Sequence, residues 1–186
     1  MTIEPVKGNE KLTINFDITL HEFPCSIVSI DLQDIMGSHS VNVHGTITKN
    51  KLSKEGKVIG QEVYKKAKLQ NSGESDEIPP SIELIQQEMN DNEGCQIFGY
   101  FFVNKVPGNF HISAHAYGHL VQQLAAIGYN KFNISHTINH ISFGDKVDLS
   151  RIKRSFSDGQ LNVLDRSSKK HRQYMMYEYY LNVSFI

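Results

Sequence analysis

Alternation of apolar and polar residues is the feature of this sequence that most constrains its fold. The first such run places an apolar side chain at every second position: Leu12, Ile14, Phe16, Ile18 and Leu20. Successive side chains of a β-strand point to opposite faces, so this spacing predicts an extended strand with one buried face. The chain therefore opens with a half-buried strand.

Similar runs follow along the chain. Val28, Ile30 and Leu32 form a second run, and residues 41–47 form a third that we expect to pair with it as a hairpin. The second half of the chain predicts strands over residues 96–106, 108–115, 132–143 and 174–186. Turns are predicted at 107–108 and at 157–159.

Two short segments have helical spacing instead. Ile82, Ile85 and Met89 recur at intervals of three or four after Ser81, a residue suited to cap a helix. The second segment covers residues 119–127 and is closed by a glycine. Eight or more short strands with one or two short helices predict an all-β fold, mainly an antiparallel β-sandwich.

Length and composition predict one soluble domain over residues 1–186. The chain is 21% charged and 39% hydrophobic, with a formal net charge of −1. This balance disfavours nucleic acid as a partner, because phosphate binding needs a concentrated basic face. No run reaches the roughly 18 to 20 apolar residues of a membrane span, and the N-terminus lacks the pattern of a signal peptide.

Charge is unevenly distributed along the chain. Residues 69–93 contain seven acidic residues and no Lys or Arg, whereas residues 146–172 contain eight basic and three acidic ones. Two interpretations remain open: two solvated loops, or two docking surfaces for oppositely charged partners. We describe residues 49–93 as a variable polar and acidic insertion, and residues 145–172 as a basic loop and hairpin.

The sequence lacks the motifs that would place catalytic or metal-binding side chains. It has no Gly-x-Ser-x-Gly elbow, phosphate-binding glycine loop or His-Glu-x-x-His pair, so we predict no enzyme, no metal site and no cofactor. His111, His115 and His119 are spaced by four residues, but on a continuous strand the first two would lie about 13 Å apart, too far to share an ion. The same objection applies to His136 and His140.

Several blocks of sequence carry a family resemblance. They read NFDI at 15–18, PCS at 24–26, DLQD at 31–34, GCQIFG at 94–99, VNKVPGNFHI at 103–112, NISH at 133–136 and HISFG at 140–144. Over roughly residues 12–145, these ordered blocks resemble the endoplasmic reticulum vesicle transporter family, the ER–Golgi intermediate compartment proteins. Its signature is carried here by Gly94, Gly99, Asn104, Lys105, Val106, Gly108, Asn109, Phe110, Ser142, Phe143 and Gly144.

The resemblance implies the luminal domain of a cargo receptor that cycles between the ER, the ER–Golgi intermediate compartment and the Golgi. Members of the family are anchored by two transmembrane helices that flank the domain, and these helices are absent here. The sequence is therefore expected to be a cut luminal segment that contacts the membrane only through the missing helices. The partners implied are a related family subunit and secretory or ER-resident cargo proteins.

Two cysteines bear on this luminal assignment. In an oxidising lumen Cys25 and Cys95 are expected to form a structural disulfide, the alternative being two buried free thiols. Closing a loop of about 70 residues would stabilise the fold by about 4 kcal/mol. A luminal oxidoreductase, like protein-disulfide isomerase but lacking its thioredoxin module, is a second possible function, although no Cys-x-x-Cys pair is present. A glycan-binding sandwich is a third.

Two site predictions depend on the same location. Asn133, and less favourably Asn182, lie in sequons for N-glycosylation. Five of the nine histidines lie in or beside the family blocks: His111, His115, His119, His136 and His140. The ordinary histidine pKa of about 6.5 lies near Golgi pH, so we expect these side chains to come together and favour cargo capture in the more acidic compartment. The alternative is that they are ordinary polar strand residues.

Overall fold

The computed structural model describes residues 11–34, 39–40, 45–66, 79–144, 162–170, 176–181 and 183. The strands within these ranges are β1 Lys11–Leu20, β2 Ser29–Asp34, β3 His39–Ser40, β4 Gly45–Leu52, β5 Val58–Lys66, β6 Gly94–Asn104, β7 Gly108–Ser113, β8 His136–Phe143 and β9 Ser167–Lys169. The helices are α1 Ile82–Asn90 and α2 Gly118–Ala126, with 3₁₀ turns at Cys25–Ile27 and His115–Tyr117.

These strands form two antiparallel sheets. The larger sheet has the order β5-β4-β6-β1-β8-β9, and the smaller has the order β3-β2-β7. Strand β1 is central to the large sheet and pairs with β6 over its whole length, from Lys11 opposite Asn104 to Leu20 opposite Cys95. The prediction of a mainly antiparallel β-sandwich with two short helices is confirmed.

The core lies between the sheets, on the face that the alternation in β1 selects. Ile14, Phe16, Ile18 and Leu20 are all buried there. From the small sheet, Phe110 of β7 packs against Phe101 of β6 with ring centroids 5.5 Å apart. The two helices contribute three buried apolar side chains to the same core: Ile85, Leu120 and Leu124.

Both helices begin or end as their sequence signals predict. The Ser81 hydroxyl oxygen accepts a hydrogen bond from the Leu84 amide at 3.2 Å and caps α1. The chain leaves α2 through Gly128, whose φ of +97° lies in the left-handed region that favours glycine. Among the described residues, no helix is both long enough and apolar enough to cross a membrane.

The strand partners differ from one predicted hairpin. His39 and Ser40 pair with β2, but β4 begins at Gly45 and pairs with β5 and β6, so the hairpin predicted over 41–47 is wrong for residues 45–47. The turn at 107–108 joins β6 in the large sheet to β7 in the small one. Alternation decides which face of a strand is buried but does not choose its neighbour.

Three predicted boundaries also change. The segment treated as a polar insertion, residues 49–93, contains the edge strand β5 and helix α1. The strand predicted from 132 begins at His136, and residues 176–181 of the predicted 174–186 strand are not in a sheet. The turn predicted at 157–159 lies outside the described residues.

Candidate functional site: a cleft between the sheets

A cleft of about 1310 Å³ opens between the two sheets. Ile14 of β1 and Ile138 of β8 line it on the side of the large sheet, and Phe110 and Ile112 of β7 line it on the other. Residues 176–181 also border it. Its lining is more apolar than polar, and the charged residues Lys11, Lys105 and Glu178 also border it. An apolar cleft with polar groups placed around it is typical of a binding site.

His136 is a buried polar group in this cleft, at the start of β8. Its Nδ1 lies 2.9 Å from the Ile134 carbonyl, so this nitrogen is assigned the proton it donates. Its Nε2 lies 2.7 Å from the Tyr179 hydroxyl, which then donates to the ring. The ring of Tyr177 stands edge-on to the imidazole at 5.1 Å. Burial raises the pKa of Tyr179, and the nearby Tyr177 raises it further.

His140, also on β8, belongs to a separate hydrogen-bond chain. Its Nδ1 lies 2.8 Å from Asp165 Oδ2, and its Nε2 lies 2.9 Å from Ser142 Oγ. These three side chains have the order of a hydrolase triad, but Ser142 is only 2% exposed and its hydroxyl is not open to a substrate carbonyl. The chain instead connects β8 to the turn before β9, since Asp165 Oδ1 also accepts from the Ile141 amide at 3.0 Å.

His111 and His115 meet where β7 ends, at the border of the cleft. Their ring centroids are 6.5 Å apart, and not the roughly 13 Å expected for a continuous strand, because β7 ends at Ser113 and the chain then turns. His115 Nδ1 lies 4.0 Å from Asp31 Oδ2, which also accepts from the Ser113 hydroxyl. No group of three His, Cys, Asp or Glu side chains in the described ranges is arranged to hold a metal ion.

The five predicted histidines therefore occupy several environments. His111, His115 and His136 border the cleft, whereas His140 does not and pairs with Asp165. His119 is exposed on α2. Only the three histidines that border the cleft are therefore kept as candidates for pH sensing.

Outside the cleft lining, a disulfide joins Cys25 to Cys95, with Cα atoms 4.7 Å apart. Both cysteines are buried, and the chain has no other. The pair links the 3₁₀ turn after β1 to the first residues of β6. It therefore closes a loop with a sequence separation of 70 residues.

An ion cluster lies next to the disulfide. Lys51 Nζ is 3.3 Å from Glu88 Oε1 and 2.8 Å from Glu93 Oε2. Glu88 Oε2 accepts from the amide and hydroxyl of Ser26 at 3.1 and 2.7 Å. Burial lowers the pKa of Lys51, but the hydrogen bond to Glu93 and the charge of Glu88 outweigh it and raise that pKa above 10.5. Two acids of the 69–93 segment are thus paired inside the protein.

Nothing in the sequence singled out these ion pairs or Tyr179. The one signal for Glu88 is its position three residues after Ile85, on the helix face that packs against the sheet. In the basic segment, Arg166, Lys169 and Lys170 are exposed. The other charges of the two segments lie largely outside the described residues.

Asn133 lies in the loop before β8 and not in a strand. Its Nδ2 donates to Glu22 Oε2 at 2.8 Å, and its Oδ1 accepts from the Ser135 amide at 2.9 Å. Its glycosylation stays a prediction. The second sequon, at Asn182, lies outside the described residues.

Two of the signature glycines allow neighbouring strands of the large sheet to approach closely. Gly99 has a φ of +144°, and a Cβ there would lie 2.0 Å from the Thr46 carbonyl oxygen of β4. A Cβ on Gly94 would lie 2.6 Å from the Leu20 carbonyl oxygen of β1. The Asn104 side chain accepts from Lys11 Nζ at 2.6 Å and ties the end of β6 to β1. These roles account for the residue types without assigning them any chemistry.

The chain matches two protein-family profiles. The profile described as "Endoplasmic reticulum vesicle transporter" matches residues 61–185, and the profile for the Endoplasmic Reticulum-Golgi Intermediate Compartment matches residues 2–41. The chain belongs to the endoplasmic reticulum vesicle transporter family. The family predicted from the sequence blocks is thereby confirmed.

The chain is similar in sequence to ER–Golgi intermediate compartment proteins of other organisms. A probable ER–Golgi intermediate compartment protein 3 of Dictyostelium discoideum is 30% identical over 208 residues, covering 84% of this chain and 54% of the relative. The human ER–Golgi intermediate compartment protein 2 is 29% identical over 200 residues, covering 94% and 48%. The chain spans about half the length of these curated relatives.

A solved structure is also similar to this family member. The crystal structure of Erv41p matches with a TM-score of 0.49 and 21% identity, over 89% of this chain and 67% of that one. The family is one of transport between the ER and the Golgi, and the predicted location in the ER, the intermediate compartment and the Golgi is confirmed.

Proposed function

We propose that this chain is the luminal, non-enzymatic domain of a cargo receptor that cycles between the ER and the Golgi, and that cargo binds in the cleft between the sheets. Membership of a transport family supports the receptor role. The buried Cys25–Cys95 disulfide suits an oxidising lumen. The observation that carries the proposal is the cleft itself, whose apolar lining and volume suit an extended segment of another protein.

Site-specific photocrosslinking in the full-length membrane protein tests this function. A crosslinking residue replaces Ile112, which borders the cleft, and a control replaces Val63, which is exposed on β5 outside it. Mass spectrometry of ER and Golgi membranes should identify secretory or ER-resident proteins joined to position 112 and few joined to position 63. Equal crosslinking from both positions would contradict a cargo cleft.

We expect the affinity for cargo to depend on pH, because three histidines border this cleft. Protonation of His111, His115 and His136 would add positive charge there in the more acidic compartment and attract cargo carboxylates. Asp31 lies beside His115, and the Tyr179 hydroxyl binds His136, whose ring also contacts Tyr177. Three further charged residues line the same cleft: Lys11, Lys105 and Glu178. Cargo binding in the Golgi and release in the ER would suit retrieval.

Cargo capture at about pH 6.3 and about pH 7.2 tests this step. A triple variant with His111→Gln, His115→Gln and His136→Gln should lose the difference between the two values. The matched control, with His119→Gln and His140→Gln, changes histidines that do not border the cleft and should keep it. An identical pH response in both folded variants would remove the cleft histidines from the mechanism.

A related family subunit is the second partner we propose, in a contact that involves the charged segments. The exposed Arg166, Lys169 and Lys170 could meet acidic residues of the neighbour. Exposed charges are screened over about 8 Å at physiological ionic strength, so association should weaken with salt. Sedimentation of the two luminal domains together should show a dissociation constant that rises with salt, whereas a constant value would indicate a hydrophobic interface.

The oxidoreductase alternative gains no support from the cysteines. Thiol–disulfide exchange needs an accessible thiolate, and both cysteines of the chain are buried in one disulfide. Insulin reduction by the purified domain should therefore stay at background.

A further inference from the structure

The face of the six-stranded sheet that points away from the core carries a row of hydrogen-bonded polar side chains. Gln61 Nε2 donates to Asn50 Oδ1 at 2.9 Å, and Asn50 Nδ2 donates to Gln96 Oε1 at 3.0 Å. Gln96 Nε2 and Asn139 Nδ2 both donate to Asp17 Oδ1, at 2.9 and 2.8 Å. The row crosses β5, β4, β6, β1 and β8 without a break.

An aromatic ridge on the same face lies beside this row. Phe98, Tyr100 and Phe102 alternate along β6 with side chains that enter the core, so all three point outward. Phe98 is opposite Asp17 in the register of β6 and β1. Tyr100 and Phe102 are each 39% exposed, with rings edge-on at 5.5 Å.

The middle of this face carries little charge, whereas Lys11 lies at the start of β1 and His140, opposite Asp17 on β8, pairs with Asp165. Asp17 is the single charged residue at the outward positions of the three central stretches, which are residues 13–19 of β1, 46–52 of β4 and 96–102 of β6. The neighbouring outward positions hold neutral side chains: Thr13, Asn15, Thr19, Thr46 and Thr48. A basic face for phosphate is therefore missing from these positions, and so is the charge pattern that would select a charged peptide.

Neutral amides, hydroxyls, one carboxylate and half-exposed rings match one chemical class of ligand. A sugar ring presents an apolar C–H face that packs on an aromatic ring, and hydroxyls that both donate and accept hydrogen bonds. We propose that this outer face binds a neutral oligosaccharide, with sugar rings on Tyr100 and Phe102 and hydroxyls on Asp17, Gln96 and Asn139.

The hydrogen bonds within the row leave capacity for such a ligand. Asp17 receives two amide donors on one oxygen, whereas a carboxylate offers about four acceptor sites. Gln96 has a second N–H group and a second lone pair with which to bind a hydroxyl. Asn139 already donates to both Asp17 and Thr19, so it can add a hydroxyl only as an acceptor, through its Oδ1. The row is preorganised, which lowers the entropy lost when a ligand binds.

Calorimetric titration of the whole chain with a neutral high-mannose oligosaccharide tests the site, and an acidic sialylated oligosaccharide serves as the charge control. We expect saturable binding of the neutral ligand that falls at least tenfold in Tyr100→Ala. The matched control is Tyr180→Ala, because Tyr180 is 90% exposed and lies outside this face. It should bind as tightly as the wild type.

A second readout does not depend on any variant folding correctly. In NMR spectra of the wild-type domain, the side-chain amide signals of Gln61, Gln96 and Asn139 should shift on titration with the oligosaccharide. The proposal is overturned if millimolar ligand gives no binding, if Tyr100→Ala binds like Tyr180→Ala, or if the shifts map to the cleft residues. Because the ligand is a free sugar and neither Tyr100, Gln96 nor Asn139 lines the cleft, failure here leaves the cargo cleft untouched.

Discussion

The two halves of the sandwich are held together by different forces. On one side, which we call the disulfide side, Cys25–Cys95 and the Lys51–Glu88–Glu93 cluster lock the turn after β1 and helix α1 onto the sheet. On the cleft side, residues 176–181 lie against β8 through single hydrogen bonds and ring contacts such as Tyr179 with His136. Covalent and ionic links are concentrated where the proposed function needs no movement, and weaker contacts surround the space where a ligand would enter.

Removing the disulfide should have the largest effect on this contrast. Replacing both cysteines, Cys25→Ala with Cys95→Ala, frees a loop with a sequence separation of 70 residues. The expected loss is about 4 kcal/mol of unfolding free energy, because the unfolded chain regains the entropy of an open loop. Urea unfolding measures it against the oxidised wild type, and the wild type under reducing conditions is the control that should lose a similar amount. A loss below about 1 kcal/mol would mean that the disulfide side does not depend on its covalent link.

Glu88→Ala should have the second largest effect. Glu88 is 2% exposed, and its carboxylate pairs with Lys51 and accepts a hydrogen bond from the Ser26 amide. The substitution removes both contacts. We expect a destabilisation of about 3 kcal/mol, typical of breaking a buried ion pair. Glu83→Ala provides the control, since Glu83 is exposed on the same helix. Similar unfolding midpoints for the two variants would show that the buried pair contributes little.

Alkaline pH should weaken the disulfide side through Lys51. The pKa of Lys51 in the folded protein is raised above its ordinary value of 10.5, so the protonated form is favoured by folding. Its contribution is fully present below about pH 10.5 and is lost as the pH rises through the folded-state pKa. Melting temperatures between pH 9 and 12 should fall more steeply for the wild type than for Lys51→Met. Parallel curves for the two proteins would refute this linkage.

The smallest effect is expected on the cleft side. Tyr179→Phe removes the hydroxyl that binds His136 but keeps the ring, so the loss should be about 1 kcal/mol. Tyr180→Phe is the matched control, because the Tyr180 hydroxyl binds Glu178 at an exposed position and should not affect stability measurably. If Tyr179→Phe costs as much as the loss of Glu88, the cleft side is not the weaker half.

Some elements of this fold follow directly from local signals. The alternation in β1 selects the buried face, and Ser81 caps α1, as the sequence predicts. Strand β5 is different, since its residues 58–66 are largely polar or exposed and form a strand only because β4 supplies a partner at the edge of the sheet. Edge strands of this kind carry a weak apolar pattern, which explains why the sequence indicated only a polar insertion there.

The candidate sites show the same division. Sequence blocks sufficed to identify the family, and the location followed from the family. The grouping of His111 with His115 depended on a turn that ends β7, and the row from Gln61 to Asn139 depended on the register of five strands. A single polar residue at an outward position of a strand does not indicate a binding site in the sequence. It becomes part of one only when neighbouring strands place other polar residues beside it.

The sequence by itself therefore determined the class of secondary structure, the buried face of its first strand, the caps of its helices and the family. The first three depend on residues within a few positions of one another, where side-chain periodicity and capping act, and the family depends on short blocks of sequence in a fixed order. Only the tertiary structure decided that β6 and β7 enter different sheets, that Lys51 meets Glu88, and that a cleft lies between the sheets. Such pairings join residues far apart in the chain, and local periodicity contains no information about which of many compatible strands will be the neighbour.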